Sequence, residues 1–293
     1  MRLAKAVRQL IESDSVEVAW GAEYTESMTQ PIKWLQDEIA ERMLQKLDIV
    51  KLDVRDILLI PDFPGNHHAS LAKRFPRARI HSVIEDGSSR FQLWISKTAA
   101  NWRSLFSGGA VGSLSHLRNH NKFSIPDHSV DLIFSNLLLQ DLVDPKLFLR
   151  ECWRVLREGG LVVFSYLGPD TGKELRALSS SSLQLKNLIS PWDMHDLGDA
   201  LVAERFADPV MDMEYLTLDY QKSELLLSDI EALGLANVNH HLDAEIDDLP
   251  HKLTLEIVYG HAWAIGKHLA KSHDSVAFID VNQIGRKTRT DSH

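Results

Sequence analysis

The polar residues best placed to do chemistry in this chain follow an apolar run. Ser135-Asn136 closes the stretch Val130 to Phe134, and Gln140 comes just after it. Open α/β sheets bind ligands just past the carboxyl ends of their strands, which puts Gln140 on the floor of a pocket. Asn136 can equally act as a strand-terminal cap and needs no ligand for that. Histidines cluster at His67-His68, at His116 and His120, and at His240-His241. None has metal-ligand spacing with carboxylate or cysteine partners, so no metal site is expected and solvated loop histidines are the better reading. The chain has neither a G-x-S-x-G elbow nor a P-loop. Its single cysteine, Cys152, falls on an apolar helical stripe and reads as a packing residue, not a nucleophile.

The elements that must position these residues form one unit. Pro126-Asp127 makes a turn into the first apolar run, and Asp144-Pro145 opens a helix, with Asp as N-cap and Pro at the first helical position. Phe148, Cys152, Val155 and Leu156 lie on one stripe of that helix, Arg157 sits in its last turn, and Gly159-Gly160 stops it and starts a second buried strand. Strand, helix and strand with short links imply two parallel neighbours in a doubly wound sheet.

The flanking segments extend the pattern. Ile32, Leu35, Ile39, Met43 and Leu47 mark a long helix with Thr29 as its cap and Pro31 near its start. Ile57 to Ile60 is a strand, Leu71, Ala72 and Phe75 face a helix that ends at Pro76, and Ile80 to Ile84 is the next strand. A third strand is expected between Ala110 and Leu117, a small helical lid over residues 183–192, a helix from Met194 to Glu204 and a long strand from Val210 to Tyr220. Ser223 to Leu233 is a helix, and Leu253 to Val258 is the last strand, antiparallel and at or near the edge. The reading is therefore a single domain over 1–270 with a disordered tail over 271–293. Composition agrees: 44% hydrophobic and 25% charged over 293 residues allow an ample core. A net charge of -9 argues against nucleic-acid binding. No membrane span or signal core is visible, so a cytoplasmic protein is expected.

The same stretches carry a resemblance. Ser135-Asn136-Leu137-Leu138-Leu139-Gln140, Leu167-Gly168-Pro169-Asp170-Thr171, Asp193-Met194-His195-Asp196-Leu197 and Glu256-Ile257-Val258-Tyr259-Gly260 resemble class I S-adenosylmethionine-dependent methyltransferases. The likeness is strongest to the malonyl-[acyl-carrier-protein] O-methyltransferases of biotin synthesis and runs from about Tyr24 to Trp263. It implies a Rossmann-like seven-stranded, mostly parallel sheet with helices on both faces. It also implies S-adenosyl-L-methionine as cofactor and methyl transfer to the free carboxylate of a malonyl group on an acyl-carrier protein. Tyr24, Gly65, Glu85, Asn119 and Asn136 are the cofactor-side residues it points to, and Arg176 is the candidate for a bidentate grip on the acceptor carboxylate.

One half of the resemblance is worn. The family implies an acidic residue and a glycine-rich turn after the first strand, where this chain has Leu59, Pro61 and Phe63, with only Gly65 surviving. Ile84 stands where an acid would grip the ribose, with Glu85 one residue on, and Asn119 where an aspartate would meet the adenine. Losing two charge-assisted hydrogen bonds removes roughly 3–6 kcal/mol, so the cofactor is expected to bind at least about ten times more weakly than micromolar, or not at all. Two readings compete: a carboxyl methyltransferase with an eroded motif, and a silent relative that binds a carrier protein or an active methyltransferase subunit.

Overall fold

The computed structural model describes residues 32–62, 67–84, 108–177, 183–185, 192–238, 249–266, 271–273 and 276–278. Its centre is a seven-stranded sheet. In chain order the strands are β1 (Asp56–Ile60), β2 (Arg79–Ile84), β3 (Gly109–Ser113), β4 (Val130–Ser135), β5 (Leu156–Leu167), β6 (Ala207–Asp219) and β7 (Lys252–Ala264). They lie side by side as β3-β2-β1-β4-β5-β7-β6. β1 to β5 pair in parallel, and β7 runs antiparallel to both β5 and β6. This is the sheet that the resemblance implies. The chain reverses direction across it between β1 and β4, and at such a switch point a crevice opens beyond the carboxyl ends of the strands.

Two layers of helices cover the sheet, because both faces of its central strands are apolar. On one face α1 (Lys33–Lys46), α2 (His67–Arg74) and α6 (Ser223–Ala232) bring Leu35, Ile39, Leu71 and Ile230 against Ile57, Leu59 and Phe134. On the other, α3 (Leu114–His120), α4 (Pro145–Val155) and α5 (Met194–Ala203) bring Leu117, Phe148, Cys152 and Leu201 against Leu58, Ile60 and Ile133. Cys152 is fully buried, and burial pushes its thiol pKa well up, which makes it a small hydrophobe rather than a nucleophile.

The helix starts follow local chemistry. Asp144 caps α4 by accepting from the Lys146 backbone N–H at 2.9 Å, with Pro145 at the first position. Asp193 caps α5 by accepting from the His195 and Asp196 N–H groups at 2.7 and 2.8 Å. Each such cap is worth about 1 kcal/mol. The described part of α1 starts at Lys33 after Ile32, which offers no side-chain cap; Thr29 and Pro31 lie outside the described residues.

Several boundaries differ from the sequence reading. α4 ends at Val155, and β5 begins at Leu156 and runs through Gly159-Gly160, so the glycines lie within a strand rather than between helix and strand. A register shift between β4 and β5 absorbs them, with Gly159 at φ 75. Arg157 is therefore not in a helical turn. Its guanidinium bridges Asp131 at 2.8 Å and buried Asp56 at 2.9 Å, and Arg79 and His81 complete that cluster at the amino ends of the strands. Hydrogen bonds from His81, Arg79 and Arg157 outweigh burial and hold the Asp56 carboxyl below its ordinary range. The third strand stops at Ser113, whose hydroxyl caps α3, so Leu114 to Leu117 is helical. The first three residues of the expected helical lid, Leu183–Leu185, form a strand paired antiparallel with Ala236–Val238; residues 186–191 lie outside the described residues. The Leu-Gln-Leu alternation has the period of a strand, not of a helix. The tail is not structureless throughout either, since Lys271–His273 pairs antiparallel with Val276–Phe278. Among the described residues no helix is long and apolar enough to cross a membrane.

Candidate functional site

The carboxyl edge of β4 and β5 is stitched together by amides and hydroxyls. Asn136 is fully buried and joins four elements. Its backbone N–H donates to the Ile60 carbonyl of β1 at 3.1 Å. Its Nδ2 donates to the Gln36 carbonyl of α1 at 2.9 Å and lies 2.7 Å from Nε2 of His67 at the start of α2. Its Oδ1 accepts from the Ser165 hydroxyl of β5 at 2.7 Å. Leu137, next in the chain, adopts φ 51, a left-handed conformation that a branched side chain disfavours. It is held there because its N–H donates to both the carbonyl and the hydroxyl of Ser165, at 3.0 and 3.1 Å. Gln140 spans the same crest, donating to the Leu137 carbonyl at 2.9 Å and accepting from the Leu167 N–H at 3.4 Å. Its amide thus ties the turn after β4 to the end of β5.

A second lock fixes the loop after β5. Glu256 of β7 is buried, and its carbonyl accepts from Gly168 N–H at 2.8 Å while its carboxylate accepts from Asp170 N–H at 2.6 Å. Thr171 and Glu256 also exchange hydrogen bonds at 3.1 and 3.3 Å. Gly168 is required here, since a Cβ on it would come within 2.5 Å of the Glu256 carboxyl carbon. The lock leaves Asp170 and Arg176 beside each other after β5. Arg176 is exposed, donates to the Pro169 carbonyl and stands 4.0 Å from Asp170, which also accepts from the Tyr215 hydroxyl at 3.0 Å.

The remaining sequence candidates separate. Asn119 is exposed on α3. Tyr24, Gly65 and Glu85 lie outside the described residues, as does Phe63. Leu59 and Ile84 are buried in the core, at 0% and 1% exposure, and Pro61 offers no N–H, so these three positions give a ligand no polar side-chain atom. Asp62 follows at the crest, buried, with its N–H on the Val83 carbonyl at 2.8 Å. Three buried hydroxyls at or near the carboxyl ends of β2, β4 and β5, those of Ser82, Ser135 and Tyr166, have no hydrogen-bond partner among the described residues. The fit of this edge to S-adenosyl-L-methionine is therefore uneven: hydroxyls that could meet a ribose or a carboxylate are present, and the strand-end acids at 59 and 84 are not.

Sequence reasoning missed four participants. His67 was grouped with solvated histidines but is 1% exposed. Ser165, Gln36 and Glu256 carried weaker signals. Glu256 had one that could have been used, as a lone acid in the apolar run Leu255 to Tyr259.

Comparison with known proteins agrees with this architecture. A family model described as a methyltransferase domain matches residues 97–164. A malonyl-[acyl-carrier protein] O-methyltransferase from Gallionella capsiferriformans is 35% identical over 249 residues, covering 78% of this chain and 83% of that protein. The proteins of the same description from Coxiella burnetii and Halorhodospira halophila are 34% identical over 245 residues and 30% over 276. Those matches cover 77% and 87% of this chain, and 79% and 90% of the respective relatives.

Proposed function

Because the chain belongs to the malonyl-[acyl-carrier protein] O-methyltransferase family, we propose that it methylates the free carboxylate of a malonyl group carried on an acyl-carrier protein, in the service of biotin synthesis. Kinship over most of both chains is the observation that carries this reading. When bound beyond the carboxyl edge of the sheet, S-adenosyl-L-methionine supplies an electrophilic methyl group. A carboxylate is already a competent nucleophile, so the protein needs to provide alignment rather than a base.

The residues at the crest suit that task. Asn136, Ser165 and Gln140 satisfy one another and so hold the pocket floor rigid without offering a competing charge. Arg176 stands on the rim, where a guanidinium can take a carboxylate through two parallel hydrogen bonds after leaving Asp170. Each oxygen of a carboxylate held in this way keeps a second lone pair with which to attack the methyl group.

Purified protein incubated with S-adenosyl-L-methionine and malonyl-carrier protein should give a carrier one methyl heavier by mass spectrometry. The same carrier loaded with the malonyl half-ester should stay unchanged. Arg176→Ala should raise KM for the carrier substrate and leave cofactor binding by calorimetry unchanged. Absence of both methyl ester and any binding heat for the cofactor would overturn the reading in favour of a silent relative.

A further inference from the structure

A cavity of about 540 Å³ opens at the opposite, amino-terminal edge of the sheet, lined by Asp127, His128, Arg150, Trp153, Arg205 and Ile265 among others. It lies between the turn before β4, the second half of α4, the turn from α5 to β6 and the end of β7. β4 separates it from the crest by about 20 Å, from six residues at about 3.3 Å each. We propose that this cavity binds a small organic anion, a carboxylate or phosphate carried on an apolar body.

The argument rests on which donors are already committed. Arg154 is spent: it binds both carboxylate oxygens of Glu151, the Asp127 carboxylate, and the carbonyls of Phe123 and Ile125. Arg150 gives Nε and Nη2 to Glu204 at 3.0 and 2.7 Å, which leaves its Nη1 available. Arg205 is different. Its guanidinium has no hydrogen-bond or ion-pair partner among the described residues. It therefore brings a full fork of donors to a cavity whose other charges pair off, a fork that matches a carboxylate or phosphate in geometry.

The apolar body has its own surface. Trp153 lines the cavity and is fixed edge-on by Phe206, with ring centroids 5.3 Å apart, and Ile265 is 46% exposed beside it. An indole and an aliphatic side chain within reach of a spare guanidinium make a site for an amphiphilic anion rather than for a bare one. Arg205 at φ 73 is the left-handed residue that ends α5, with the Phe206 N–H on the Leu201 carbonyl at 2.9 Å and its own N–H on the Val202 carbonyl at 3.0 Å, so helix termination fixes its place in the cavity lining.

Calorimetric titration of the full chain with phenyl phosphate, benzoate and inorganic phosphate tests the proposal. Phenyl phosphate or benzoate should bind with a sub-millimolar Kd, and inorganic phosphate at least tenfold more weakly. Arg205→Asn, chosen because asparagine tolerates the left-handed conformation, should weaken the organic anion at least tenfold. Ile265→Ser should weaken it to about the level of inorganic phosphate. Neither variant should change the affinity for S-adenosyl-L-methionine, measured in parallel. Failure of all three probes to bind, or equal binding by Arg205→Asn, would overturn the site. Inorganic phosphate binding as well as phenyl phosphate would overturn the amphiphilic ligand.

Discussion

The crests of β1 and β4 sit side by side at the switch point of the sheet, and they have been treated differently. Both strands are buried, and the register pairs Leu59 with Phe134 and Ile60 with Ser135. Yet β1 runs out into Leu59-Ile60-Pro61, with hydrocarbon side chains, while β4 runs out into Ser135-Asn136, with a hydroxyl and an amide. β1 and α2 form nonetheless, because parallel pairing and core burial are enough to hold them. Leu59, where the resemblance implies a carboxylate, packs with Leu35 and Ile39 on the α1 face. The β4 crest has no such freedom, because one amide there ties together four elements. The difference teaches that a ligand-facing residue is dispensable to the fold where hydrocarbon can take its place, and indispensable where it also satisfies buried backbone.

The most forceful way to break that comparison is to restore the acid. Leu59→Asp puts a carboxyl into a fully buried position packed by aliphatic side chains. The penalty for burying such a group should exceed about 4 kcal/mol, and urea denaturation should show the variant largely unfolded or its midpoint sharply lowered. A fully stable Leu59→Asp protein would show that the β1 crest has kept a polar opening. Next in size is Asn136→Ala. It leaves the Gln36 carbonyl, His67 and the Ser165 hydroxyl without their common partner, and should cost about 2–3 kcal/mol. A change under about 0.5 kcal/mol would mean that water replaces the amide and that the two crests are alike after all.

How far the sequence could be read follows the same divide. The β4–α4–β5 unit was legible because its punctuation is local: Asp144-Pro145 starts the helix, and the apolar stripe from Phe148 to Val155 gives its face. β3 was poorly legible because Gly109 to Ser113 carries two glycines in five residues and its last serine doubles as a helix cap. The strand Leu183–Leu185 was missed because its partner, Ala236–Val238, lies some fifty residues away and three alternating residues are too few to outweigh a helical reading. At the site, Asn136 and Gln140 could be placed from their position after a strand. Their partners could not, because His67, Gln36 and Ser165 come from three separate elements that only the folded chain brings together.

The finest probe of the β4 crest is pH, read through His67. Burial lowers its pKa below the ordinary 6.5, against the opposing pull of Asp37, of Asp62 and of the Gln36 backbone. The groups facing it are Asp37 and Gln36 on α1, Asp62 at the β1 crest and Asn136 on β4. Asn136 Nδ2 donates toward Nε2, so the neutral ring carries its proton on Nδ1, the atom 3.8 Å from Asp37. Protonation would set Nε2–H against the Asn136 N–H. With the folded pKa lowered, the unfolded chain binds more protons once pH drops below about 6.5, so stability falls as pH falls through that window. The slope of one such group cannot exceed about 1.4 kcal/mol per pH unit, which makes this the smallest of the three effects. His67→Gln keeps an acceptor for Asn136 and removes the titration. Thermal melts between pH 7 and pH 5 should therefore be flatter for His67→Gln than for the natural chain. Parallel curves would show that His67 exchanges its proton freely with solvent, and that the amide network at the β4 crest is looser than its distances imply.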